Sequence, residues 1–205
     1  RAINGGGIYC SQSVPTISGN IISNHANIQF GGGIYLDSCP TAVVTNNTLT
    51  RNSVAAGGGV YCYNSGGRIA NNAISYNTTY YSGAGGIYCY DYESTLAPEI
   101  TNNTIAYNIT GGIQCNSCSP TVVNNIVSNN SIGVSISGTS NPVLHTNCIH
   151  ETTPYSGWGT NPSSDLLTNP LLVGVHLHSG SQCIDAGDNN VVQTGDTDID
   201  GQPRK

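Results

Sequence analysis

The sequence predicts an all-β fold: a parallel β-solenoid of about six coils that ends in an irregular C-terminal cap. Three observations predict it. The first is a repeated phrase. GGGIYC at Gly5–Cys10 returns as GGGIYL at Gly31–Leu36, GGGVYC at Gly57–Cys62, GGIYC at Gly85–Cys89 and GGIQC at Gly111–Cys115, with a weaker GVSI at Gly133–Ile136. The second is the spacing. The aliphatic marker falls at Ile8, Ile34, Val60, Ile87, Ile113 and Val134, in steps of 26, 26, 27, 26 and 21 residues. A fixed period of this size marks a solenoid, in which each repeat is one supersecondary unit. The third is the local rhythm. In Ile-Tyr-Cys the apolar positions alternate with period 2, not 3.6, and Gly, Asn and Pro interrupt every short β-branched run.

Each coil carries a second phrase. It reads ISGNIISNH from Ile17, VTNNTLTRN from Val44, IANNAISYN from Ile69, ITNNTIAYN from Ile100, VVNNIVSNN from Val122 and LHTNCIHE from Leu144. Three residues after the first aliphatic comes Asn20, Asn47, Asn72, Asn103, Asn125 or Asn147. Asn tolerates the left-handed backbone of a sharp corner. Stacked coil on coil, its amide can also bond to the amides above and below. Asn52, Asn77, Asn108 and Asn130 form a second such column. The glycine runs permit positive φ and close backbone approach at another corner. Each unit of about 26 residues is thus expected to hold three short strands, stacked about 4.8 Å apart.

The repeats occupy residues 1–150. Residues 151–168 break the period, so 151–205 are expected to form the irregular cap and tail. Charged residues make up only 8% of the chain and the formal charge is −6, against about 25% charged residues in ordinary domains. Arg51 and Arg68 are the only basic side chains between Ile8 and His150 apart from histidine. A nucleic-acid binder needs a basic stripe, so that class is excluded. No apolar run approaches the roughly 18 residues of a membrane helix.

At this point the repeats resemble the right-handed parallel β-helix proteins, an architecture also used by pectate lyases. The tail phrases NPLLV at Asn169–Val173, HLHSGSQCIDAGD at His176–Asp188 and DTDIDGQPR at Asp196–Arg204 are similar to the ends of secreted bacterial β-helix proteins described as choice-of-anchor proteins. The resemblance implies a secreted protein at the cell surface or in a matrix, and a chain processed or trimmed from something longer. It implies no particular activity. A coil that begins at Gly5 without a preceding cap suggests end-to-end self-association into a filament.

Candidate chemistry is sparse. The acids within the coils are Asp37, Asp91, Glu93 and Glu99. Paired carboxylates act on sugars from about 5–10 Å apart, and Asp37 and Asp91 lie two coils apart. Arg68 and Glu99 share a register position and read as a cross-strand charge pair. Tyr9, Tyr35, Tyr61 and Tyr88 form an outward stripe. It reads either as a structural ladder or as a platform for the rings of a polysaccharide.

Cys10, Cys62, Cys89 and Cys115 share a position filled elsewhere by Leu36 and Ile136, which reads as a small apolar plug. Cys148 ends the repeats and Cys183 lies in the tail. In an oxidising compartment a bridge between them would pin the cap. Asp196, Asp198, Asp200 and Gly201 match positions 1, 3, 5 and 6 of a calcium loop that lacks its glutamate, which makes calcium the one candidate cofactor. Sequons at Asn46, Asn77, Asn102, Asn108 and Asn129 would accept glycans only in a host with the machinery. These observations favour a non-catalytic extracellular protein with a structural, adhesive or assembly role. A polysaccharide-binding or lyase-like protein is the alternative.

Overall fold

The computed structural model describes residues 4–93, 95–157 and 164–203, and only the backbone of Asn27 and Ile28. It is a parallel β-solenoid with almost no helix, only the 3₁₀ turn Asn189–Val191 among the described residues. A seven-stranded sheet stacks Ile8–Ser11, Ile34–Asp37, Val60–Tyr63, Ile87–Tyr90, Ile113–Asn116, Val134–Ser137 and Tyr155–Ser156. Its register pairs the marker aliphatics without slip: Ile8 with Ile34, Ile34 with Val60, Val60 with Ile87, Ile87 with Ile113 and Ile113 with Val134. A second sheet of six strands runs from Thr16–Ser18 to Val143–His145, and a third from Ile21–Ser23 to Cys148–His150.

A fourth sheet was not expected. Ala26–Phe30, Ser53–Ala56 and Thr78–Ser82 form it, so the first three coils have four strands and the later ones three. The cause is length. Four residues, SVAA, separate Asn52 from Gly57, but only Ile109 and Thr110 separate Asn108 from Gly111. That leaves no room for another strand.

The core is built from columns. Ile34, Val60 and Ile87 meet Val44, Ile69 and Ile100, and Leu49, Ile74 and Ile105, all almost fully buried. Burying one such side chain stabilises by about 1.5–3 kcal/mol. Cys62, Cys89 and Cys115 fill the same interior as Leu36, as free thiols. Burial raises the pKa of the Cys115 thiol well above its usual value, as it does for a thiol that packs as a hydrophobe.

Two amide ladders run through this core, one at each corner. In the first, the backbone N–H and Nδ2 of Asn47 both donate to Oδ1 of Asn72, at 2.9 and 3.1 Å. Asn72 repeats this on Asn103, Asn103 on Asn125 and Asn125 on Asn147. In the second, Asn52, Asn77 and Asn108 donate in the same way to Asn77, Asn108 and Asn130.

The left-handed corner lies one residue earlier than expected. Gly19, Asn46, Asn71, Asn102, Asn124 and Thr146 have φ between 54° and 70°, and Asn24, Arg51, Tyr76, Tyr107 and Asn129 between 56° and 61°. The residue before each ladder Asn makes the turn with its side chain outward, so the ladder amide can point inward. For Arg51, Tyr76, Tyr107 and Thr146 this conformation costs about 1–2 kcal/mol each, offset by the buried ladder bonds.

Candidate functional site

The glycine-tyrosine phrase explains the aromatic face. Gly31 has φ +61°, and a Cβ placed on it would stand 2.4 Å from Cβ of Tyr35. The first glycine of the run therefore turns the chain and lets the tyrosine four residues later lie against it. The last glycine meets the next coil: a Cβ on Gly33 would stand 2.5 Å from the carbonyl oxygen of Gly59.

The tyrosines so placed form a continuous stack. Ring centroids are 5.0 Å apart for Tyr35–Tyr61 and for Tyr61–Tyr88, with interplanar angles of 8° and 6°, and Tyr9 extends the column at 5.1 Å. Phe30 packs on Tyr35 and Tyr61 from the fourth sheet. Tyr35, Tyr61 and Tyr88 are only 5–7% exposed, and Tyr9 is 45% exposed. Burial, before any neighbouring charge, raises the pKa of the Tyr35 and Tyr61 phenols. This corrects the sugar-platform reading of the stripe. The ring faces a sugar would stack on are turned to one another, and three of the four rings are covered. Among the described residues the aromatic surface that remains is Tyr63 and Tyr90, half-buried beside the column at 5.6 Å from each other, the Tyr76–Tyr107 stack, and the exposed Tyr80, Tyr81 and Tyr92.

The acids are placed singly. Asp37 accepts from the Tyr9 hydroxyl at 3.0 Å. Asp91 is buried and accepts from the backbone N–H of Glu93 and of Leu96, closing its own loop. Arg68 and Glu99 do share a register position, but the expected ion pair between them is replaced. The Arg68 guanidinium donates to Asp196 at 2.6 Å, from a tail residue 128 positions away.

That contact belongs to a longer seam. Asp165 and Leu166 add a last rung, with Leu166 bridged to Cys148. Cys148 and Cys183 are joined by a disulfide. The tail then lies lengthwise along the first corner instead of only closing the end. Asn124 and the backbone of Asp188 exchange two hydrogen bonds of 2.8 and 2.7 Å. Asn46 Nδ2 donates to Thr197 at 2.8 Å. Outward residues of the left-handed column thus hold the tail. Burial raises the Asp196 carboxyl, but the bonds from Arg68, Gln193 and Asn71 outweigh that and hold it below its usual pKa.

The three aspartates of the calcium-loop phrase are not gathered. Asp196 is bound to Arg68, Asp198 accepts from the backbone N–H of Asp200 and Gln202, and Asp200 faces His176 at 3.2 Å. Among the described residues no group of three or more His, Cys, Asp or Glu is close enough to hold a metal ion. Three sequons are corrected by burial. Asn77 and Asn108 are ladder rungs, Asn102 is buried under the tail, and a folded chain cannot present them to a transferase; Asn46 is half-buried on Thr197, and only Asn129 is exposed.

Sequence reasoning missed the ladder ends. Asp165 Oδ1 receives the N–H and Nδ2 of Asn147 at 2.8 and 3.0 Å, while Tyr155 donates to its Oδ2. Glu151 does the same for Asn130, and the backbone N–H of His25 opens the second ladder on Asn52. Glu151 stands in the column of the later Asn, so its place there was open to reading.

No helix of the described residues is long and apolar enough to cross a membrane. A family model described as a right-handed β-helix region matches the chain over residues 2–96 and 57–197. No curated protein and no solved structure matches it.

Proposed function

Since the chain belongs to the right-handed β-helix family, we propose that it serves as a rigid, non-catalytic scaffold outside the cell, in a structural or adhesive role at a surface or in a matrix. One observation carries this reading: the chemically distinctive columns are spent on internal contacts. The tyrosine faces stack on one another, the amides pair within the ladders, and Asp37, Asp91 and Asp196 each hold a structural bond. Catalysis on sugars needs carboxylates paired across a cleft, and these are dispersed over two different coils and the tail. The Cys148–Cys183 bridge supports an oxidising, extracellular place.

A second reading is favoured by the exposed rings: Tyr81 is 89% and Tyr92 76% exposed. Exposed tyrosines are suited to holding a polysaccharide without cleaving it. Incubation with a panel of acidic and neutral polysaccharides, with and without calcium, tests both. Unsaturated products or new reducing ends overturn the non-catalytic proposal. Retention on one polymer, abolished by Tyr81→Ala with Tyr92→Ala, establishes the second reading. Sizing of the same preparation reads end-to-end association, a further expectation for a solenoid scaffold.

A further inference from the structure

The tail does not lie flush on the coils. Between them runs a groove with lobes of about 480 and 360 Å³ that meet at Asn102, Ile126, Leu177 and Asp198. Its coil wall includes Asn71, whose side chain is turned outward by the left-handed corner at φ 58°. Asn71 is only 3% exposed, yet its Oδ1 has no hydrogen-bond partner; its amide bonds with Asp196. Buried polar atoms nearly always have partners, and an orphaned one is destabilising. An orphaned oxygen on a residue of the groove wall therefore points to an occupant.

The occupant's charge follows from the opposite wall. That wall carries Asp198, Asp200 and His176, and Asp185 lies in the larger lobe. Asp198 commits Oδ1 to two backbone N–H groups. The basic side chain at this seam, Arg68, is already paired with Asp196. The groove is rich in oxygen acceptors and negatively charged, which repels anions and favours a hard cation with oxygen ligands.

We propose that the groove holds one hydrated divalent cation of the calcium type, with Asn71 Oδ1 from the coils and the Asp198 carboxylate from the tail as its protein ligands, so that the ion fastens tail to solenoid. This differs from the calcium-loop trio suggested by the sequence, since Asp196 is replaced by an amide oxygen from the coils. The groove is larger than a bare ion, so water completes the shell.

Calcium chloride titrated into the chelator-treated full chain, followed calorimetrically, tests this. One site with a Kd of about 0.1–1 mM, as in extracellular modules, is the expected result. Asp198→Asn and Asn71→Gly should each weaken it about tenfold or more, while Glu93→Gln leaves it unchanged. Glycine adopts the left-handed corner freely, so Asn71→Gly tests the ligand with the fold retained, checked by far-UV circular dichroism. Calcium should also slow hydrogen exchange over residues 196–203 in the wild type and not in either variant. No binding up to about 10 mM, or equal binding in both variants, overturns the proposal; in the first case the orphaned Asn71 oxygen is served by water alone.

Discussion

Asn130 gives its backbone N–H and its side-chain amide to the single carboxylate of Glu151, at 2.7–2.8 Å. The reason lies in the direction of the ladder. Every amide in it donates toward the C-terminus and accepts from the N-terminal side. Another asparagine at the end would carry an NH2 needing a further acceptor. A carboxylate accepts only, so it terminates the series.

The first prediction follows from this ending. Burial raises the pKa of Glu151, and the bonds from Asn130 only partly counter it. A carboxyl whose folded pKa is raised favours the folded state most below its unfolded value, near 4.3, and that contribution is lost as pH rises through the raised value. Glu151→Gln keeps an acceptor without a charge. Relative to wild type it should gain stability between about pH 4 and 7. Glu151→Ala orphans two donors and should lose about 1–3 kcal/mol at either pH. Urea midpoints at both pH values check this. Identical pH dependence in wild type and Glu151→Gln would remove Glu151 from the account.

The second prediction concerns a rung inside the ladder. Asn72 accepts from Asn47 and donates to Asn103 Oδ1 and to the carbonyls of Val44 and Ala70. Asn72→Leu keeps the branching of the side chain at a larger volume and strands these groups in the core. The loss should be about 1–3 kcal/mol for each orphaned group that finds no water. An unchanged urea midpoint would mean that the ladder contributes nothing measurable.

Much of this was legible in the sequence because a solenoid writes each contact once per coil. The period located the strands, the register and both Asn columns. The alternation placed Ile and Cys inward and Tyr outward. What the sequence obscured occurs once or depends on distance in the chain. Asp165 closes a ladder from outside the repeats. Arg68 meets Asp196 and not the in-register Glu99, because the tail returns along the corner and shields the pair. The stripe of tyrosines was visible, but its covering by Phe30 was not, since that ring comes from a fourth sheet present only where the coil has residues to spare. In the first column the left-handed residue is hard to tell from the ladder residue because Asn occupies both positions in Asn46-Asn47, Asn71-Asn72, Asn102-Asn103 and Asn124-Asn125; there only Gly19-Asn20 and Thr146-Asn147 separate the two roles, as Arg51, Tyr76 and Tyr107 do in the second column.

A third prediction separates backbone conformation from packing. Gly19 and Gly31 both have positive φ, +70° and +61°. A Cβ on Gly19 meets open space, whereas on Gly31 it collides with Tyr35. Gly19→Ala should cost only the left-handed term, about 1–2 kcal/mol. Gly31→Ala adds displacement of a buried ring and should cost about 1–3 kcal/mol more. Thermal melts with near-UV circular dichroism, which reports the tyrosine stack, distinguish them. Equal losses would show that the stack yields without cost.

The last prediction concerns the seam. Arg68 and Asp196 are held at 2.6 Å with little exposure of either side chain, and the Asp196 carboxyl is held below its usual pKa. A depressed carboxyl contributes its stability above the unfolded value, near 3.9, and loses it as pH falls through the folded one. Acidification below about pH 4 should therefore loosen the tail before the coils, whose core contains few acids. At neutral pH, Asp196→Asn should reproduce that loosening. Hydrogen exchange would rise over residues 186–203 and stay unchanged over Ile34–Ile105. The tail would remain attached through Cys148–Cys183 and through the Asn124–Asp188 bonds, so the rise should be steepest beyond Val192. Uniform exchange along the whole chain would mean that tail and solenoid open as one unit and that the Arg68–Asp196 pair fastens nothing by itself.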